Sequence, residues 1–177
     1  MKKMIYFFVL AGIIFSCSNP TVNSMSKKTS ENKALVQRFY NEVLNAHDIA
    51  MVDSFCSADF LDHNPDPGFT GKGIADLVGQ FNNMYKTFPD MHVNVDFMVA
   101  EGDTVVSYLT FTGTNSGPMG DMPATNKSVK ANGIDIIVIK GGKGIERWGI
   151  FDQLSVMSQL GMMGSGAPPD ASQMGGN

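Results

Sequence analysis

The residue types most able to do chemistry stand near the end of the chain, in W-G-I-F-D at residues 148–152. If this segment is a β-strand, its side chains alternate between two faces, because the side-chain period of a strand is two residues. Asp152 then shares a face with Trp148, the single tryptophan of the chain. A carboxyl group among apolar side chains has a raised pKa, because its charged form is poorly solvated there. Asp152 is therefore a candidate general acid or base near neutral pH.

Both residues also have a structural alternative. Aspartate is a preferred helix N-cap, and a short helix is predicted directly after it, from Gln153 to Leu160, ending at Gly161. Trp148 is a candidate ligand contact, but tryptophan in a strand is more often a packing residue. The sequence leaves these alternatives open.

Three further polar residues are candidates for a site. His63 lies in D-H-N-P at residues 62–65 and is either a catalytic residue or a turn histidine bonded to the backbone. Asp135 interrupts an apolar run, and a buried carboxylate there needs a partner. Hairpin pairing offers Arg147 as one candidate, and the two could equally form a solvated pair at the sheet edge. Tyr85 either lines a cavity or fills the core.

The sequence predicts no metal site and no organic cofactor. His47, His63 and His92 are scattered, without the spacing that places two imidazoles on one metal. The chain also has no glycine-rich phosphate loop after a strand and no G-x-S-x-G nucleophile motif.

A predicted β-hairpin positions Asp135 and Trp148. The β-branched run from Ile134 to Ile139 is followed by a glycine turn at residues 141–144 and a second extended run. Earlier, helical periodicity predicts helices from Glu31, with Ser30 as N-cap, from His47-Asp48, and from about Lys72 to Tyr85. Alternation through Val93, Val95, Phe97 and Val99 and across residues 104–114 predicts two strands, and residues 115–126 a long loop. This order is typical of an α+β fold, in which the helices cover one face of the sheet and leave a cone-shaped cavity.

The chain begins with a predicted export signal. Residues 1–16 contain two lysines and an apolar run that is too short to span a membrane. The end of this leader, I-F-S-C at residues 14–17, resembles a bacterial lipobox, which implies lipidation of Cys17 and a domain that faces the periplasm. The alternative is an ordinary signal peptide with an incidental cysteine. Residues 17–30 are predicted to form a flexible tether, and residues 162–177 a disordered tail.

Length and net charge limit the number of domains and the kinds of partner. A chain of 177 residues suits one domain with short appendages, and a formal charge of -4 argues against nucleic acid as a partner. Thirteen methionines and twelve phenylalanines can fill a core or line an apolar pocket.

The ordered motifs resemble the SnoaL-like polyketide cyclase family, often labelled ester cyclase, within the NTF2-like superfamily. The matching segments include A-L-V-Q-R-F-Y-N-E-V-L-N at 34–45, D-F-L-D-H-N-P at 59–65, A-E-G-D-T-V-V at 100–106 and W-G-I-F-D-Q-L at 148–154. The resemblance covers residues 31–161 and implies an NTF2-like cone, in which N-terminal helices wrap a curved antiparallel sheet. This chain has Asn115 and Arg147 where the family commonly has histidines.

The resemblance implies cofactor-independent acid/base chemistry on a small apolar carbonyl compound. In the family's cyclases the aspartate after the tryptophan is the general acid or base, and here that residue is Asp152. His63 matches a family histidine at the pocket mouth, and Asn115 takes the place of a pocket residue. The alternative is a lipid-anchored module that binds a small hydrophobic molecule without turnover. We expect the membrane as a partner through Cys17, and a homodimer is the assembly to test.

Overall fold

The computed structural model describes residues 20–163 of the chain. The leader, Cys17 and the tail from residue 164 lie outside the described residues. Its helices are α1 (Pro20–Phe39), continued by a π-helical turn (Tyr40–Leu44), α2 (Val52–Phe55), preceded by a 3-10 turn (Ile49–Met51), α3 (Gly73–Thr87) and α4 (Gln153–Leu160). Its strands are β1 (Cys56–Asp62), β2 (His92–Glu101), β3 (Thr104–Thr114), β4 (Ser128–Lys140) and β5 (Lys143–Phe151).

The strands form one curved sheet in the order β1-β5-β4-β3-β2, which confirms the predicted α+β class. Neighbours among β2 to β5 pair antiparallel, as predicted, whereas β1 joins the sheet parallel to β5. The predicted hairpin is β4 and β5. Its turn contains Gly141 and Gly142, whose φ angles of 59° and 75° favour glycine. The core lies between the inner face of this sheet and the helices.

The N-terminal helix differs from the prediction. It begins at Pro20, so Ser30 lies inside α1 and is not an N-cap, and residues 20–30 of the predicted tether are helical. Two long-range contacts join the middle of α1 to the sheet. Lys28 forms an ion pair with Asp103, and Asn32 Nδ2 donates to the Gly102 carbonyl, 3.2 Å away, in the β2–β3 turn. Local polarity could not reveal these contacts.

The next two helices follow the prediction more closely. The segment after His47-Asp48 forms a 3-10 turn and one α-turn, but the Asp48 side chain makes no capping hydrogen bond. Cys56 belongs to β1 and not to this helix. Helix α3 confirms the third predicted helix, with its end at Thr87.

A bulge in β2 changes which side chains face the core. The register with β3 shifts between Val95 and Phe97. Val93 is buried as predicted, but Phe97 and Val99 lie on the outer face, 59% and 58% exposed. Met98 packs against the core in their place. A bulge adds one residue to a strand and so reverses the alternation beyond it.

Candidate functional site

A cavity of about 590 Å³ lies between the inner face of the sheet and the helices. Its walls are mainly apolar and come from α1, α3, α4 and the strands, among them Phe39, Phe81, Leu109, Phe111, Ile137 and Val156. The lining residues that are themselves exposed mark the mouth: Asn64, Asp66, Pro67, Asn83, Gly120 and Gln153. The mouth is thus bounded by the β1–α3 loop, the end of α3, the β3–β4 loop and the start of α4.

A buried polar cluster centred on Arg147 lies at the inner wall. Arg147 Nε donates to Asp135 Oδ1 at 3.0 Å, and Nη1 donates to Asp62 Oδ2 at 2.9 Å. Nη2 lies 2.8 Å from Asp135 Oδ1 in the ion pair. Asp62 and Asp135 are 2% and 5% exposed. Burial alone would lower the pKa of the Arg147 guanidinium, but the charges of Asp135 and Asp62 outweigh it and raise that pKa. The guanidinium therefore stays charged.

Tyr40 completes the cluster from the π-helical turn. Its hydroxyl donates to Asp135 Oδ2 at 2.7 Å, and the residue is almost fully buried. Burial raises the pKa of Tyr40 well above its ordinary value, and the Asp135 charge raises it further. Tyr40 consequently remains a protonated donor that fixes the second oxygen of Asp135.

Arg147 keeps donor capacity toward the cavity. Guanidinium carries five N–H donors, and the N–H groups beyond those bonded to Asp62 and Asp135 have no partner among the described residues. The Arg147 side chain is 25% exposed and lines the cavity. An oxygen atom of a bound molecule can therefore accept a charge-assisted hydrogen bond here.

Gly149 makes room for this arrangement. It is the cross-strand partner of Asp135 in the β4–β5 pair. A Cβ atom at Gly149 would collide with Arg147 Nη2 and stand 2.9 Å from Asp135 Oδ1. The absence of a side chain at this position thus lets the guanidinium lie against Asp135.

Asp66 is the carboxyl group at the mouth of the cavity. Its backbone N–H donates to Gln80 Oε1 at 3.0 Å, while its carboxyl has no partner among the described residues. Although part of the residue is exposed, burial raises the pKa of the Asp66 carboxyl, against the opposing effect of Arg147. A free carboxyl with a raised pKa in a cavity is suited to proton transfer.

The structure places Asp135 at the cavity, while its predicted role as a ligand contact stays a prediction. The carboxylate is buried, lines the cavity and is paired with Arg147, as the hairpin register indicated. Among the residues predicted for the site, it alone belongs to the cavity lining.

Asp152 does not lie in the apolar surroundings that the alternation predicted. It is exposed, and Oδ1 accepts a hydrogen bond from the Ser155 backbone N–H at 2.9 Å, which caps α4. Strand β5 ends at Phe151, and the Asp152 backbone (φ -74°, ψ 71°) has left the extended conformation. The period of two therefore does not apply to this residue.

Trp148 and His63 lie on the outer side of the sheet and not in the cavity lining. Arg147 and Gly149 face the cavity, so the alternation of β5 directs Trp148 to the opposite face. The His63 ring stacks on Trp148 with centroids 4.1 Å apart, and His63 Nε2 lies 3.0 Å from Glu146 Oε2. The two predicted site residues are thus neighbours, but away from the cavity.

Tyr85 and Asn115 hold the fold together outside the cavity lining. The Tyr85 hydroxyl donates to the carbonyls of Val43 and Leu44, at 3.3 and 3.2 Å. The fully buried Asn115 side chain donates to the Gly117 carbonyl and accepts from the Thr125 backbone N–H, both at 2.8 Å. Asn115 therefore shapes the β3–β4 loop, whose tip lines the cavity.

Sequence reasoning missed Tyr40, Asp62 and Asp66 as site residues. Asp62 could have been found from strand alternation, which places it on the same face as the apolar Phe60, and both residues are buried. Tyr40 follows the apolar helical face of Val36 and Val43. Asp66 had no signal, because no periodicity predicts how the β1–α3 loop folds over the mouth. Within residues 20–163, no group of three or more His, Cys, Asp or Glu residues could hold a metal ion.

The model of the family described as SnoaL-like polyketide cyclase matches residues 34–160. None of the curated proteins compared with the chain matches it.

Solved structures agree with the family match. TsrD from Streptomyces laurentii is 26% identical, with 75% of this chain and 96% of that chain covered and a TM-score of 0.67. A candidate polyketide cyclase from Bacillus cereus ATCC 10987 is 29% identical, with 77% and 84% covered and a TM-score of 0.65. Another from Acidithiobacillus ferrooxidans is 25% identical, with 76% and 96% covered and a TM-score of 0.67.

Proposed function

The chain belongs to the SnoaL-like polyketide cyclase family, with its NTF2-like fold, and from this premise we propose that it performs cofactor-independent acid/base chemistry on a small apolar carbonyl compound. The observation that carries the proposal is that one cavity contains both a hydrogen-bond donor and a carboxyl group without a partner among the described residues. Arg147 offers N–H donors at the inner wall, and Asp66 offers an unpaired carboxyl at the mouth.

The proposed reaction is proton transfer next to the carbonyl group. The ligand oxygen accepts a hydrogen bond from an unpaired Arg147 N–H group, and this hydrogen bond strengthens as the carbonyl oxygen becomes an enolate oxygen. Asp66 removes a proton from the carbon next to the carbonyl, so an enolate forms and the proton resides on the Asp66 carboxyl. Asp135, Asp62 and Tyr40 hold the guanidinium in place. Asp152 acts through the position of α4, since Val156 and Met157 of that helix line the cavity.

A non-catalytic binding module is the second candidate. It is favoured by the position of Asp152, because the residue to which the family resemblance assigns acid/base catalysis is an exposed helix cap. In this case the same cavity holds a small hydrophobic molecule without turnover. We do not assign a polyketide as its ligand.

Hydrogen exchange of a ketone separates the two candidates. 2-Acetylnaphthalene, an apolar methyl ketone, is incubated with the protein in D2O, and loss of its methyl proton signal is followed by NMR. The wild type should accelerate exchange above buffer, and Asp66→Asn should lower the protein-dependent rate about 10²-fold or more. Asp59→Asn is the matched control, because this substitution removes the same charge from an exposed residue outside the cavity lining. If the ketone binds but its hydrogen exchange is no faster than in buffer, the catalytic proposal fails and the non-catalytic binding module is supported.

We also propose that the protein is an exported lipoprotein, attached to the membrane through Cys17, with its domain in the periplasm. The lipobox-like sequence at residues 14–17 supports this. Among residues 20–163 no helix has the length and hydrophobicity needed to cross a membrane.

A further inference from the structure

The charges around the cavity are unbalanced. Three charged residues belong to the described lining, Asp66, Asp135 and Arg147, and Asp62 pairs with Arg147 at the same wall. No lysine or histidine of the described part of the chain lines this cavity. A single guanidinium therefore faces two buried carboxylates, and a third carboxyl lies at the mouth.

The two buried carboxylates already occupy part of the hydrogen-bonding capacity of the Arg147 guanidinium. Asp135 accepts the Nε–H group and lies beside Nη2 in the ion pair, and Asp62 accepts an Nη1–H group. Without these partners, a guanidinium in an apolar cavity would be a strong site for a carboxylate, which it binds through two parallel hydrogen bonds. With them, the cluster of Asp62, Asp135 and Arg147 carries an excess negative charge.

An anionic ligand and an uncharged ligand meet this cluster differently. A carboxylate that enters the cavity loses its hydration and meets an excess of like charge at low dielectric. A ketone, ester or amide oxygen carries no net charge, so it can still accept one of the unpaired Arg147 N–H groups.

We infer that Asp62 and Asp135 determine specificity, so that the cavity binds uncharged carbonyl compounds and excludes the corresponding carboxylates. This inference rests on the proposed function, in which Arg147 receives the carbonyl oxygen. Asp62 and Asp135 act through Arg147 and are not required to contact the ligand.

Three probes of nearly equal shape test it: 2-acetylnaphthalene, 2-naphthamide and 2-naphthoate. They share the ring system and the carbonyl group, and only the last is charged at pH 7. Titration calorimetry on the full chain with Cys17→Ser should show binding of the ketone and the amide, and at least about tenfold weaker binding of 2-naphthoate. Asp62→Asn and Asp135→Asn should each strengthen 2-naphthoate binding at least about tenfold relative to the ketone. Each variant leaves Arg147 with one carboxylate partner, so both keep a neutral pair.

Asp59→Asn is again the matched control, since it removes one charge from the same strand as Asp62 but outside the cavity, and should leave the affinity ratio unchanged. Equal binding of 2-naphthoate and the ketone to the wild type would overturn the inference alone. An unchanged ratio in both cavity variants would overturn the assignment to Asp62 and Asp135. If neither uncharged probe binds the wild type, the proposed function fails together with the inference.

Discussion

Arg147 is the residue on which the polar side of the cavity depends, because it compensates both Asp62 and Asp135. A buried ion pair contributes little net stability, but removing one partner leaves an uncompensated buried charge. Arg147 therefore combines two roles, since the same guanidinium balances the wall and presents donors to a ligand.

Replacing Arg147 by methionine should lower the free energy of unfolding by about 3–5 kcal/mol. The physical reason is that two carboxylates then remain buried without a cation. Adding Asp135→Asn to this variant should restore part of the loss, because it removes one of the uncompensated charges. Urea unfolding of both variants measures the effect. Arg38→Met is the control, since Arg38 pairs with Glu42 on the exposed surface and should matter far less. Equal losses for Arg147 and Arg38 would contradict the assigned role.

Asp152 allows the cap and the catalytic interpretation to be separated. Asn caps a helix about as well as Asp, whereas Ala does not, so Asp152→Asn should hold stability within about 0.5 kcal/mol and Asp152→Ala should lose about 1 kcal/mol. Ketone hydrogen exchange should persist in Asp152→Asn, because the proposed proton carrier is Asp66. A loss of exchange of about 10²-fold in a stable Asp152→Asn variant would return the catalytic role to Asp152.

At the residue scale, the sequence allowed a prediction where strand register decides the contact. Asp135 and Arg147 lie on paired strands, so the alternation of two predicted strands made Arg147 a candidate partner of Asp135 but did not decide between a buried and a solvated pair. Asp152 was misplaced because the alternation was extended one residue past the end of β5. Asp66 could not be placed, because a loop conformation depends on the tertiary contacts that hold it, such as the Gln80 hydrogen bond.

At the scale of elements, the β4–β5 hairpin sets the position of the polar cluster and the helices close the cavity around it. The hairpin, α3 and the helix after Asp152 were predictable from periodicity and glycine turns. The bulge in β2 was not, because the alternation through Val95 and Phe97 continues unbroken in the sequence and gives no local signal of an extra residue. The start of α1 was missed because residues 20–30 are polar and have no helical periodicity, while the contacts of Lys28 and Asn32 further along the helix reach the distant β2–β3 turn.

Gly149→Ala tests whether the hairpin geometry maintains the ion pair. The added methyl group would displace the Arg147 guanidinium from Asp135, so we expect a loss of about 1–3 kcal/mol in unfolding free energy. The ketone exchange rate should fall as well, because the Arg147 donors lose their direction. Gly144→Ala is the control on the same strand, since its Cβ would meet Ile137 Cγ2 at an ordinary 3.5 Å. A fully stable, fully active Gly149→Ala protein would show that the guanidinium position is not critical.

At the scale of the whole molecule, the outer face of the sheet is apolar and uncovered in the single chain. Phe97, Val99, Ile134 and Ile150 are between 40% and 66% exposed on it, and Ile134 and Ile150 are cross-strand partners. Contiguous apolar surface of this kind marks an interaction site. The most common solution for such a face is an isologous contact with a second copy.

We therefore predict a homodimer that packs through this face. Ile150→Lys should shift the protein to monomer in sedimentation experiments, because it places like charges at a desolvated contact between two copies. Leu154→Lys is the matched control, since Leu154 is 67% exposed but lies on α4, and it should leave the assembly unchanged. A wild-type chain that sediments as a monomer at micromolar concentration would contradict the dimer.

The last prediction concerns membrane attachment through Cys17. Metabolic labelling with a fatty acid should label the wild type in the membrane fraction, and Cys17→Ser should lose the label and appear in the soluble fraction, because lipidation is the proposed anchor. Cys56→Ser is the control that keeps both label and location. Cys56 is buried in the core, and burial raises the pKa of its thiol to about 12, so it is not a competing site. A label that persists in Cys17→Ser, or an unlabelled wild type in the membrane, would refute the anchor. A soluble Cys17→Ser protein with intact ketone exchange would show that membrane attachment and the cavity are independent, as expected because the described lining of the cavity begins at Leu35.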